Sequence, residues 1–220
     1  MRIAVMAAGA VGGYFGGRMA AAGHDVAFIA RGAHRDAIRR DGLKIESALG
    51  DLHLKDVNVT DDPKQVGAVE VVLFAVKLWD TETAGEQTRP LLGPESRVIT
   101  LQNGVDSVER LAPILGEEAV IAGTTYVVTT IAKPGVIHHT GTTARIHCGR
   151  LDRRPGVRRR SLLSLVRPRS ATGTDQGAMR LSSEAEVGGQ VLPAGSIRNP
   201  IRDILYWKQR FCVEWNSSQR

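Results

Sequence analysis

A short apolar run around Ile3 and Val5 is followed at once by Gly9 and Gly12, which occupy the second and third glycine places of a G-x-G-x-x-G turn. No other feature narrows the fold as far. With only Met1 and Arg2 before it, the run reads as a buried parallel strand that opens a domain. Gly9 lets the backbone approach a pyrophosphate, and Gly12 lets the following helix pack closely on the strand. From Val11 to Ala22 small and apolar residues recur at helical spacing, so the free N–H groups at the helix start face the phosphates; Gly23 caps the far end. The first glycine place holds Ala7. A Cβ in a left-handed turn costs about 1–2 kcal/mol, so weakened cofactor affinity is expected, with the site retained.

Asp25 to Ala30 (DVAFIA) reads as the second strand, and its end selects between the nicotinamide cofactors. An acidic residue there would bond the ribose 2′-hydroxyl of NAD and repel a phosphate. Arg31 stands there instead, 19 positions after Gly12, where a guanidinium can pair with the 2′-phosphate of NADP. A secretory leader would also begin with a basic residue and an apolar stretch. Four glycines from Gly9 to Gly16 break such a segment, and no cleavage pattern follows.

At 220 residues and 42% hydrophobic, the chain can bury one good core and part of a second. No apolar run approaches the roughly 18 residues that span a bilayer, so no membrane role is expected. Two cysteines, Cys148 and Cys212, are too few for a disulfide framework, and a cytoplasmic location is the expectation. The net charge of +6 is unevenly spread: residues 1–149 carry 15 basic side chains against 17 acidic ones, while residues 150–220 carry 14 against 6. The basicity belongs to the second segment.

Along the first 149 residues the pattern is that of a nucleotide-binding domain. His34 to Arg40 reads as a helix stopped by Asp41-Gly42, and Leu43 to Glu46 and Leu52 to Thr60 as strands around Leu49-Gly50. Val69 to Val76 (VEVVLFAV) reads as a buried strand ending at Lys77. Thr81 to Leu92 reads as a helix stopped by Gly93-Pro94, Arg97 to Leu101 as a strand ending in Gln102-Asn103-Gly104, and Ser107 to Leu115 as a helix. Val120 to Thr130 reads as a strand, with Gly135 to His139 and Ala144 to Cys148 as a hairpin pair. The fold class is therefore α/β: a Rossmann-like doubly wound parallel sheet with an antiparallel extension. From Arg150 arginines crowd together and periodicity fades, until Ile197 to Trp215 shows apolar spacings of three and four that suit one amphipathic helix.

The opening A-A-G-A-V-G-G-Y-F-G, the strand end FIAR, VVLFAVK, LQNG and GTTYVVT together resemble the N-terminal domain of the ketopantoate reductase (2-dehydropantoate 2-reductase) family, from Met1 to about Gly149. The resemblance implies NADPH as hydride donor, ketopantoate or a related 2-oxo acid as acceptor, and a place in pantothenate biosynthesis. It implies that Gly9, Ala10, Val11 and Gly12 hold the pyrophosphate, with Ala7 and Ala8 also cofactor-binding, that Arg31 holds the 2′-phosphate, and that Lys77 lies near the adenosine phosphates and ribose. It places Asn103 beside the nicotinamide and substrate, and the backbone near Val127 at the carboxamide. An amide suits the Asn103 position because it donates and accepts at once.

Hydride transfer to a ketone builds charge on the carbonyl oxygen, which an acid must neutralise and protonate. In the family that acid is a lysine in a W-x-K-L-x-x-N motif of a helical second domain. The nearest match is Trp207-Lys208 with Asn216, the lysine one place after the tryptophan instead of two, so Lys208 is the candidate acid. The second segment thus reads as truncated or irregular in place of a helical domain, and a slipped reading frame near codon 150 is the expected cause. A homodimer is compatible with this reading.

Two alternatives stay open: a non-catalytic NADP-binding module with a basic tail, and a β-hydroxyacid dehydrogenase-like oxidoreductase. The arginine clusters could attract nucleic acid, but before Ile197 they lack interleaved aromatics for base stacking. His138, His139, His147 and Cys148 lack paired ligand spacing, so no metal site is expected.

Overall fold

The computed structural model describes residues 1–149 together with the backbone of four short strands, at 179–181, 186–187, 190–191 and 213–215. Six parallel strands form the central sheet: β1 (Arg2–Met6), β2 (Asp25–Ile29), β5 (Asn58–Thr60), β6 (Val69–Phe74), β7 (Leu92–Thr100) and β8 (Val120–Lys133). Their spatial order is β5-β2-β1-β6-β7-β8, and β9 (Val136–Gly149) adds antiparallel to β8. The doubly wound sheet with its antiparallel extension is as the sequence predicts. Strand order reverses between β1 and β6, so the crevice beyond their carboxyl ends is where an open α/β sheet receives a ligand.

Both faces of the sheet are covered, which explains the nearly continuous apolar strands. In β1, Ile3 and Val5 point into a core with Tyr14, Phe28, Leu73 and Ile137, while Ala4 and Met6 point into a second core with Val72, Phe74, Leu91 and Leu111. Helix α1 (Ala10–Ala21) lies between two sheet layers, because β3 (Leu43–Ser47) pairs with both β4 (Leu52–Leu54) and the first half of β9. Its glycines make that possible. A Cβ on Gly16 would lie 2.6 Å from Val5 and 2.8 Å from Phe28, and one on Gly17 would lie 2.6 Å from Ile45.

Several expectations are corrected. Leu52 to Thr60 is not one strand: β4 stays with β3, and the chain then crosses to pair β5 with β2 at the sheet edge. The segments Gly135 to His139 and Ala144 to Cys148 are not a hairpin pair but two stretches of the single strand β9. The 14-residue β8 is long enough to pair with both, and the chain between them, with Gly141 at φ 86°, accommodates a register break opposite Val127.

Helix α2 (Gly32–Asp41) begins two residues before the expected start. Helix α3 (Thr81–Thr88) ends early in a 3-10 turn at Arg89–Leu91, since Pro90 removes a donor. Strand β7 starts at Leu92 and runs through Gly93-Pro94, beside a break in its register with β6. Helix α4 (Ser107–Leu115) is as expected. Residues 197–212 of the expected C-terminal helix lie outside the described residues. Its last three, Val213–Trp215, form β13, paired antiparallel with the second stretch of β9 and with β10 (Met179–Leu181).

Candidate functional site

The turn after β1 is built from backbone. Ala7 has φ 65°, the one positive φ of a non-glycine residue among those described, so the first glycine place does adopt the left-handed conformation. The Ala8 N–H donates to the Ile29 carbonyl at 2.7 Å, tying the turn to β2, and the Gly9 N–H donates to the Ala7 carbonyl at 2.8 Å. The first helical bond runs from the Gly13 N–H to the Gly9 carbonyl at 2.8 Å. The N–H groups of Ala10, Val11 and Gly12 precede it and are available to an anion.

Gly9 and Gly12 differ in a telling way. A Cβ on Gly12 would lie 2.6 Å from the Ala7 carbonyl oxygen and 2.8 Å from Val5, whereas one on Gly9 would meet nothing within 4 Å. Gly12 is therefore demanded by the protein's own packing. Gly9 leaves open space at the helix start, a cradle that a Cβ would fill and that suits a dinucleotide pyrophosphate.

Sequence reasoning missed His34, on α2. Its Nδ1 accepts from the Gly135 N–H at 3.1 Å, which puts the proton of the neutral ring on Nε2. Burial lowers the His34 pKa, against a smaller opposing pull from the Ala8 backbone beside it. The β8–β9 turn is thereby joined to the phosphate turn's surroundings.

Arg31 caps α2 just past the end of β2, and its Nη2 donates to Gln87 Oε1 on α3 at 2.7 Å. It is exposed and makes no ion pair among the described residues. Nearby Arg35 is neutralised by Asp36, at 2.7 Å, and by Asp61. Of the two cations, Arg31 is the one free to meet a phosphate.

The other wall is made by the loops after β6 and β7. The β-ladder continues past both strands, with Ala75 N–H on the Met6 carbonyl at 3.0 Å and Leu101 N–H on the Phe74 carbonyl at 2.8 Å. Lys77 is exposed at the start of a 3-10 turn, Leu78–Asp80, that also carries Trp79, 76% exposed. Asn103 is exposed on the next loop, where Gly104 turns the chain at φ 99°. Between the loops, buried Gln102 donates from Nε2 to Thr81 Oγ1 at 2.8 Å, and Thr81 donates to the Leu78 carbonyl at 2.8 Å. Arg110 Nη2 reaches the same carbonyl at 2.8 Å while its guanidinium grips Glu82 at 2.7 and 2.8 Å. This hydrogen bonding with Arg110 lowers the Glu82 pKa to about 2.

Val127 sits on β8 between the pairs Tyr126 with Arg145 and Val128 with Thr140, where the ladder slips. Its side chain packs on the first core, and its backbone lies outside the regular pairing. His139 is a strand histidine, buried, 2.8 Å from Ser47 Oγ, 3.1 Å from the Thr143 carbonyl and stacked on Tyr14. Burial pushes the Cys148 thiol up to about 11, so it is no thiolate at neutral pH. Lys208 lies outside the described residues.

Residues 3–153 match the model of the family described as "Ketopantoate reductase PanE/ApbA". The chain belongs to that family. A 2-dehydropantoate 2-reductase of Nostoc sp. is 31% identical over 138 residues, which are 63% of this chain and 43% of that protein. Among solved structures, a PanE/ApbA family ketopantoate reductase from Ralstonia eutropha is 42% identical with a TM-score of 0.61, over 64% of this chain and 47% of the other. The 2-dehydropantoate 2-reductase of Geobacter metallireducens is 35% identical with a TM-score of 0.65, over 68% and 49%. This chain thus matches less than half the length of each, and the matched part is the domain described above.

Proposed function

We propose that residues 1–149 bind NADP(H), and that the chain derives from a reductase of ketopantoate or a related 2-oxo acid. One observation carries the reading: an open glycine cradle at a helix start, with an arginine that meets no carboxylate among the described residues at the end of the next strand. The N–H groups of Ala10, Val11 and Gly12 would take the pyrophosphate, and Arg31 would exchange Gln87 for the 2′-phosphate. Lys77 would add charge on the opposite wall. Asn103 and the Val127 backbone would orient the carboxamide end. Bound NADPH supplies a hydride to a carbonyl carbon.

The matching proton needs an acid at the carbonyl oxygen. That role falls to Lys208 by resemblance, with the lysine one place from the expected position. We therefore expect ketopantoate reduction at or near background, alongside retained cofactor binding. A positioned acid alone typically contributes about 10²–10⁴ in rate.

The test titrates NADPH and NADH against the wild type and Arg31→Ala, and follows NADPH consumption with ketopantoate in the same preparation. A charge-assisted contact to the 2′-phosphate is worth about 1.5–3 kcal/mol, so NADPH preference should fall about 10- to 100-fold in the variant. Equal affinities for both cofactors in the wild type would sink the assignment. Robust turnover that vanishes in Lys208→Ala would show that the displaced lysine works.

A further inference from the structure

Thr81 has a single hydroxyl proton, and the Leu78 carbonyl takes it at 2.8 Å. Toward Gln102 it can only accept, so the donor facing it at 2.8 Å must be the amide nitrogen. The other end of the amide, Oε1, lies 3.4 Å from the Thr100 hydroxyl. Gln102 thus starts a one-way relay, from amide N–H through the Thr81 hydroxyl to the Leu78 carbonyl. Thr81 is 0% exposed and Gln102 7%, so water does not substitute for either partner. The relay begins one residue before Asn103 and ends one residue after Lys77.

We propose that Gln102 and Thr81 are positioning residues that make the two crevice loops a single unit, so that Lys77 and Asn103 engage one dinucleotide together. Neither touches the ligand. The proposal rests on the NADP-binding reading for its consequence, but the coupling itself is a property of the free protein. Direction matters: Gln102→Glu keeps the shape and replaces the donor by an acceptor, and Gln102→Met keeps the length and removes both. Thr81→Ser keeps the hydroxyl, whereas Thr81→Val keeps the volume and removes it.

Hydrogen exchange on the full-length, ligand-free protein reads the coupling, and NADPH titration reads its effect. Gln102→Met and Thr81→Val should each speed exchange of the Asp80 and Thr81 amides, which bond the Lys77 and Leu78 carbonyls, at least tenfold and weaken NADPH about tenfold, with Thr81→Ser close to wild type in both. The loss from Lys77→Ala should shrink when Gln102→Met is already present, as expected of residues that act through one network.

Unchanged exchange at the Asp80 and Thr81 amides in Gln102→Met, with folding verified by circular dichroism, overturns the coupling. Faster exchange with unchanged NADPH affinity, or full additivity with Lys77→Ala, overturns its role in binding. A wild type that fails to bind NADPH overturns the functional reading and the binding consequence with it, and the exchange experiment still decides the coupling.

Discussion

The glycine turn after β1 and the Lys77–Asn103 wall follow the carboxyl ends of adjacent parallel strands but are built by different means. The turn is backbone: consecutive residues from Ala7 to Gly13, closed by local hydrogen bonds, with the helix start supplying N–H groups. The wall is side chain: two loops about 25 positions apart, aligned by a buried amide, a hydroxyl and an arginine. A backbone site is specified by where side chains must be absent. A side-chain site is specified by partners that meet only once the sheet has formed.

The largest effect that would test this contrast is on Gly12. Gly12→Ala places a Cβ against the Ala7 carbonyl and Val5, neither of which is a flexible side-chain end, so unfolding free energy in urea should fall by about 3 kcal/mol. A change below about 1 kcal/mol would show that the helix shifts easily away from β1.

Gly9→Ala is the counterpart. Its Cβ meets only open space and its φ of −76° suits alanine, so stability should stay within about 0.5 kcal/mol of wild type. NADPH affinity should nevertheless drop about tenfold or more, about 1.4 kcal/mol, by loss of the close approach. Unchanged affinity would place the pyrophosphate elsewhere.

A smaller effect is expected at Ala7. Its left-handed φ is already present in the free protein, so Ala7→Gly should raise stability, by about 1 kcal/mol or less once glycine's extra unfolded-state entropy is counted. The gain should show in urea unfolding; because the strain is the same with and without ligand, NADPH affinity should stay nearly unchanged, which corrects the expectation that Ala7 weakens cofactor binding. A destabilised variant would mean that the turn carries no strain.

The smallest effect sharpens the side-chain half. Glu82 is held at about 2 in the folded protein, chiefly by its hydrogen bonds from Arg110, against an ordinary value of 4.5. Its contribution is present above pH 4.5 and is lost as pH falls from 4.5 toward 2. Glu82 is solvent-exposed, so the slope should be modest. Unfolding midpoints across that window should therefore depend slightly less on pH in Glu82→Gln than in the wild type, and identical slopes would remove Arg110–Glu82 from the account.

The parts of the site legible in the sequence follow the same division. Ala7 to Gly12, Arg31 and the ends of β6 and β7 could be placed because each sits a fixed distance from a strand or helix that its own neighbours define. His34, Thr81, Gln102 and Arg110 were not legible as site residues. Each acts through a partner 20 or more positions away, and Gln102 in particular reads as an ordinary polar residue before a turn.

The sequence by itself determined the alternation of strands and helices, the glycine turn after β1 and the arginine after β2, because these depend on contacts and conformations within a few residues; that Ala7 is left-handed is seen only in the structure. Only the tertiary structure decided that Leu52 to Thr60 divides between two sheet layers and that residues 136–149 form one strand. Those outcomes depend on which edge each segment finds: β3 or β2 for the first, the full length of β8 for the second. Local propensity is the same for a strand wherever it pairs. The partner, and with it the wall of the crevice, is chosen by packing across the whole sheet.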